Sequence, residues 1–387
     1  MENRIGEHHW VGAQLAADEI NDAGGIMVGS QAYGIELVKI DSNELVSVSD
    51  ASSAVERAIT VDEVDFLMGG IWSEAVAAMQ DVAMDHNKIF LGCGASAESL
   101  CTNVVNDYER YKYWFRVSPI NGTYLTEVAL NLLGMVADKV SNELDSQPNV
   151  AIIAENLSWA DTVVSKATEE LAAMDIQVAD SWRPLPNEGD LTPQLSSIEA
   201  SEANIILTAF SGSAGITYAK QWTELQIPAA SVGINLEAQS DDFGEATGGK
   251  GNYECTIGVY TEDLTITDKT VPFVQTFIEE AGGLPTYCAA TYDAVYILKD
   301  AIEAAESMDA NDIVIELEKT DYIGTSGRIV FTDSHDLTWG PGFVTSIGVQ
   351  WQDGQLKGVW PPYDGSWQQV AYEGTVDYKL PPWVLDR

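Results

Sequence analysis

Two glycine-rich turns carry the residue types best suited to chemistry. Gly69-Gly70-Ile71-Trp72-Ser73 follows an apolar run ending at Met68, and Gly92-Cys93-Gly94-Ala95-Ser96 follows one ending at Leu91. A turn that leaves a strand and opens a helix presents backbone N–H groups and the positive end of the helix field, a combination that holds an anion such as a carboxylate. In open α/β sheets such turns lie at the carboxyl ends of strands, where ligands bind. The plain alternative for each is a glycine turn whose serine caps a helix.

Patterns for catalysis are missing from the sequence. It has no Gly-x-Ser-x-Gly elbow, no Walker loop and no Gly-x-Gly-x-x-Gly that opens a helix. His8, His9, His86 and His335 lack metal-ligand spacing. Cys93, Cys101, Cys255 and Cys288 form no Cys-x-x-Cys pair, which argues against zinc and thioredoxin-type chemistry. Cys93 and Cys101 lie on either side of a Gly/Ser-rich loop, a spacing that suits a short disulfide; buried free thiols are the alternative. No cofactor, metal or catalytic residue is expected.

Charge narrows the partners further. The 387 residues include 60 acidic and 19 basic side chains, a formal net charge of −41. The acids are spread along the chain, as at Glu169-Glu170, Asp241-Asp242 and Glu279-Glu280. Such a surface repels itself in dilute buffer and is relieved when the screening length falls to about 3 Å near 1 M salt. We read the composition as an adaptation to a salty milieu. Without a Lys/Arg stripe, nucleic acid and anionic membrane are poor partners. No apolar run is long enough to span a bilayer, and the polar opening Met1–Trp10 does not read as a signal peptide.

The elements that must position the turns follow from periodicity. Ala13, Ala16, Ile20 and Ala23 recur at helical spacing until Gly24-Gly25 stop the helix. Gly34–Ile40 reads as a strand, and Ser47–Val61 as a helix with Ala51, Ala54, Val55, Ala58 and Ile59 on its apolar face. Val64–Met68 and Ile89–Leu91 read as strands around a helix opened by Ser73. After Pro119 the rhythm restarts, with strands at Val150–Ala154, Ile176–Ser181, Asn204–Thr208, Ala229–Val232 and Thr256–Val259 between helices. Asp353-Gly354 sits between two later strands as a hairpin turn. The class is α/β, with two doubly wound parallel-sheet lobes. Lobe one is expected in residues 1–119 and 260–328, and lobe two in 120–259 and 329–387. The chain opens directly into a helix, so the first strand of lobe one is expected to be missing, through truncation or a start assigned too late.

The motifs resemble those of type I solute-binding proteins, the branched-chain amino-acid kind of periplasmic binding protein. The resemblance runs along nearly the whole chain. It rests on Gly12–Gly25 in the first helix, on Phe115-Arg116-Val117-Ser118-Pro119, on Thr291-Tyr292-Asp293-Ala294-Val295, on Gly324–Phe331 and on Leu380-Pro381-Pro382-Trp383. It implies capture of an amino acid or related small polar molecule between two lobes that close on a three-segment hinge, near Val117–Asn121, Ile257–Asp263 and Gly327–Asp336. It also implies delivery to the permease of an ABC transporter, an extracytoplasmic location and a membrane anchor in the full precursor. A ligand-sensing receptor domain of the same fold is an alternative, and an enzyme on a doubly wound scaffold is a weaker one.

By the same resemblance, Ser73, or its neighbour Glu74, faces a ligand carboxylate. Ala95 supplies backbone contacts and Ser96 a hydroxyl. Trp159 stands where the family places a cleft aromatic, Phe210 is a second candidate wall, and Glu237 resembles the acid that pairs with a ligand ammonium. Tyr292 reads as core. Asn121-Gly122-Thr123 and Asn156-Leu157-Ser158 match the glycosylation sequon, either as acceptors on an exported chain or by chance.

Overall fold

In the computed structural model, which describes residues 4–386, apolar spacing translates directly into helices. Arg4–Asp22 buries Ala13, Ala16, Ala17 and Ile20, and ends at Gly24 and Gly25, whose φ of +112° and +84° only glycine adopts without cost. Val48–Thr60 starts at Ser47, whose hydroxyl accepts the Asp50 N–H at 3.1 Å, and it buries Ala51, Val55, Ala58 and Ile59.

The chain divides into two compact units. The first holds the described residues through Asn121 and then Ile266–Thr345; the second holds Gly122–Thr265 and the described residues from Ser346 onward. The last boundary falls later than the sequence suggested, so residues 329–345 lie in the first unit. A buried ion pair explains why: Arg116 Nε donates to Asp336 Oδ1 at 2.8 Å, and the Arg116 N–H donates to the His335 carbonyl at 3.0 Å. The Phe115 and His335 rings stack with centroids 4.0 Å apart.

The first unit contains a parallel sheet of β1 (Leu67–Gly69), β2 (Phe90–Gly92) and β3 (Trp114–Arg116), in that spatial order. Two small antiparallel hairpins accompany it, Ile26–Val28 with Gln31–Tyr33 and Asp321–Ile323 with Arg328–Val330. The strand expected at Gly34–Ile40 is not part of any ladder; only the short Gln31–Tyr33 pairs, ahead of it.

In the second unit, β4 (Asn149–Ala154), β5 (Gln177–Trp182), β6 (Ile205–Phe210), β7 (Ala230–Asn235), β8 (Cys255–Gly258), β9 (Ile347–Gln352) and β10 (Gln355–Trp360) form one sheet ordered β10-β9-β8-β7-β6-β4-β5. β4 to β8 run parallel, while β9 and β10 add antiparallel at one edge. Every residue of β6 and β7 is buried, as expected of parallel strands covered on both faces. The β9–β10 turn is Asp353-Gly354, with φ of +54° and +80°, the geometry of a tight hairpin.

Beneath this sheet Glu254 is wholly buried. Its carboxylate accepts from the Ser231 hydroxyl at 2.7 Å and the Asn235 amide at 2.9 Å. Burial pushes its pKa up to about 7 despite these two bonds. The folded state therefore prefers the protonated acid. Stability falls as pH rises from about 4.5 to 7, where the unfolded chain ionises first, and the loss levels off above that range at roughly 3 kcal/mol. A Glu254→Gln variant, which mimics the neutral acid, is expected to resist urea better than the parent at pH 8 and to match it near pH 4.5. Parallel pH profiles for the two proteins would contradict this assignment.

Candidate functional site

The two sequence-predicted turns of the first unit meet. β1 and β2 are parallel neighbours, so their carboxyl ends place Gly69–Trp72 beside Gly92–Ala97. Ser73 is the first residue of the helix Ser73–Asp85, and its hydroxyl accepts the Ala97 N–H at 3.3 Å, which links one turn to the other. The approach is close enough that a Cβ on Gly94 would stand 2.1 Å from the Gly70 carbonyl oxygen, so only glycine fits there.

Arg116, at the end of β3, fixes the second turn from below. It is fully buried, and its guanidinium donates to the Ala95 carbonyl, to the Ala97 carbonyl at 2.6 Å and to Asp336. With the Ala95 carbonyl held by arginine, the Ser96 N–H of the same trans peptide points the opposite way. Among the described residues, the N–H groups of Ser73, Ala95 and Ser96 donate to no protein acceptor. His9 braces the same loop: its Nε2 lies 3.0 Å from the Cys93 carbonyl, so that nitrogen carries the proton. Burial pushes the His9 pKa down to about 4, which keeps the ring neutral and adds no charge under the turn. Ala95 is buried, while Ser73 and Ser96 are half-buried. Glu74, the alternative to Ser73, is exposed. Arg116 and His9 were not singled out from the sequence, although Arg116 stands inside one of the motifs quoted above.

The disulfide does not form. Cys93 and Cys101 are free and buried, and their thiols turn to different carbonyls, Cys93 to Leu91 at 3.6 Å and Cys101 to His335 at 3.8 Å. Cys101 sits on the helix Ser99–Asn106, which faces the returning segment at His335.

In the second unit, the carboxyl ends of β4, β5 and β6 bring another set together. Glu155 directly follows β4 and is fully buried. Its carboxylate accepts from the Trp159 indole N–H at 2.7 Å, from the Ser211 hydroxyl and from the Gly212 N–H at 3.2 Å. Arg183 donates to the Ala154 carbonyl at 3.0 Å and to the Glu155 carbonyl at 2.8 Å, and it pairs with Asp161 at 2.6 Å. Trp159 is thus half-buried and fixed in orientation by a carboxylate that the sequence reading passed over. An acid immediately after an apolar strand is the signal that could have found Glu155.

Glu237 is half-buried on the short helical turn Leu236–Gln239 after β7. Phe210 does not line a wall. It is fully buried as the last residue of β6, and its ring packs on Tyr218 at 5.3 Å, because both faces of that strand are covered.

Tyr292 is half-buried; it packs against Phe273 at 4.7 Å and donates its hydroxyl to Glu19 at 2.7 Å. Both residues border a recess of about 200 Å³ in the first unit, shared with Leu15 and Lys269, which contains none of the turn residues. Asn121 is buried and donates to Asp336 at 3.0 Å, which closes that sequon to a glycan, whereas Asn156 is exposed. Among the described residues, no acidic, histidine or cysteine cluster could hold a metal, and no helix is long and apolar enough to cross a membrane.

Comparison with known proteins agrees with this architecture. A model of the periplasmic binding protein family matches residues 3–355. The Leu/Ile/Val-binding protein homolog 7 of Brucella abortus is 21% identical over 367 residues, covering 92% of this chain and 88% of that protein. The branched-chain amino acid transporter substrate binding protein LivJ from Streptococcus pneumoniae, solved with isoleucine, superposes with a TM-score of 0.73 at 18% identity, over 91% of this chain and 93% of that one. A solute binding protein of an ABC transporter from R. palustris, solved with benzoate, gives 0.72 at 16% identity, over 92% and 91%. The fold is that of type I periplasmic binding proteins, and the chain belongs to the periplasmic binding protein family.

Proposed function

We propose that this protein captures a small carboxylate-bearing solute, an amino acid or a close relative, outside the cytoplasm and delivers it to the permease of an ABC transporter. The observation that carries the reading is the pair of joined turns in the first unit, which offers the N–H groups of Ser73, Ala95 and Ser96 at strand ends, the second turn being locked by Arg116 through the Ala95 and Ala97 carbonyls. Oriented N–H groups at a helix start bind a carboxylate without a counter-charge that would hold it too tightly for release. Isoleucine and benzoate, the ligands of the two solved relatives, share a carboxylate on an apolar body. We assign Trp159 to the apolar body of the solute and Glu237 to its ammonium. The acidic, lysine-poor surface supports work in a salt-rich setting.

Leucine, isoleucine, a polar amino acid, benzoate and leucinamide should separate in a thermal-shift panel. The acids that bind raise the melting temperature, by the equivalent of about 2.7 kcal/mol at a hundredfold excess over Kd, and leucinamide does not. Ser73→Ala, which keeps the backbone N–H but removes the hydroxyl that joins the two turns, should weaken the best acid roughly tenfold, the scale of one hydrogen bond. Equal response to leucine and leucinamide, or product formed from any of these compounds, would sink the reading.

Salt gives a separate check. Raising KCl from 0.1 to 2 M is expected to raise the melting temperature of the ligand-free protein, as screening relieves the repulsion among its acids. A flat or falling profile would remove the claim of salt adaptation and leave solute capture untouched.

A further inference from the structure

The first of the two turns already holds a carboxylate. Glu44 lies in the loop ahead of the helix Val48–Thr60 and is half-buried. Its Oε2 accepts the N–H groups of Ile71 at 2.9 Å and Trp72 at 3.0 Å, and its Oε1 accepts the Ser42 hydroxyl at 3.3 Å. Ile71 and Trp72 directly precede the helix Ser73–Asp85, so the donors taken by Glu44 adjoin the Ser73 N–H, which among the described residues donates to no protein acceptor. The second turn is close by: a Cβ on Gly94 would stand 3.0 Å from the Ile71 Cα.

Among the described residues no lysine or arginine pairs with Glu44. Lys39, the nearest in sequence, pairs with Glu7 at 2.6 Å, and Arg116 pairs with Asp336 at 2.8 Å. His9, which braces the second turn, is kept neutral by burial. A solute carboxylate on the N–H groups of Ser73, Ala95 and Ser96 would therefore lie beside a fixed negative charge in a half-buried place, where like charges repel far more than in bulk water. A plain monoanion meets that repulsion in full. An α-amino acid bears its ammonium on the carbon next to the carboxylate, so the field of Glu44 acts on two opposite charges that nearly cancel.

We propose that Glu44 is a specificity-determining residue of the solute site, one that makes the first unit select zwitterionic α-amino acids over carboxylates without an ammonium, benzoate among them. The inference rests on the solute-capture reading above and narrows it to one chemical class. Glu44 acts in two ways. It fills two N–H groups that a solute carboxylate could otherwise use, and its charge disfavours any unaccompanied anion placed next to it. Glu237 would favour the same amino acids by attraction to their ammonium. Glu44 works by exclusion, so the two carboxylates have opposite signatures when neutralised.

The test measures Kd by calorimetry on the full chain for matched pairs that differ only in the ammonium: leucine with isocaproate, phenylalanine with hydrocinnamate, and glutamine with glutaramate. In the parent protein, the amino acid of a binding pair should bind roughly tenfold or more tightly than its deaminated partner. Glu44→Gln keeps an amide oxygen for the Ile71 and Trp72 N–H groups and removes the charge. It should strengthen the deaminated acid roughly fivefold and change the amino acid less than about twofold. Glu44→Ala, which also frees both N–H groups, should strengthen the deaminated acid at least as much, whereas Glu237→Gln should weaken the amino acid. Equal affinities within a pair in the parent, a gap that Glu44→Gln leaves unchanged, or a gap that it closes only by weakening the amino acid overturns the proposal and leaves solute capture standing. No binding of any of these acids to the parent or to either Glu44 variant overturns solute capture and this inference with it.

Discussion

The buried guanidinium of Arg116 is the interaction on which the first unit depends. A charge with no solvent contact is tolerable only when its donors are satisfied, and here they are shared among a carboxylate and two carbonyls drawn from two separate stretches of sequence. The end of β3, the Ala95–Ala97 turn and the returning segment at Asp336 are thereby fixed to one planar group. Removing one partner of such a pair costs about 3–5 kcal/mol, since the remaining charge is stranded. The polarity of the turn follows: the Ala95 and Ala97 carbonyls face the arginine.

The second unit reaches a similar end with the opposite charge. Glu155, also buried, gathers the indole of Trp159, the hydroxyl of Ser211 and the N–H of Gly212 from two different strand ends. In each unit a single buried polar side chain gathers the loops at the strand ends. The loop residues are thus held by buried polar bonds, which is how loops acquire a defined geometry.

How much of this was legible depended on whether the information was local. The strands of the second unit were readable to within about two or three residues at either end, because fully covered parallel strands show as unbroken apolar runs. The helix face of Ala51, Val55, Ala58 and Ile59 was equally plain. The Ser73 and Ser96 turns could be found because glycines and serines mark strand-to-helix junctions. Four things were not readable. Gly34–Ile40 has the pattern of a strand, yet pattern cannot supply a neighbour to pair with. The placement of residues 329–345 rests on a bond between positions 116 and 336, far apart in sequence. Phe210 looked like a wall because it ends a strand, but burial on both faces of β6 turns it inward to Tyr218. Glu155 was one acid among 60, and only its contacts distinguish it.

The four unpaired cysteines carry a practical consequence. All are buried, and burial raises the pKa of each thiol, to about 11 for Cys101 and higher for Cys93. A thiol that is neither ionised nor reachable does not react with oxidants or alkylating agents while the fold is intact. The chain also carries its own chemical clock, because Cys93 and Cys101 lie in the first unit and Cys255 in the second, and the order in which they become alkylatable records which half of the molecule opens first.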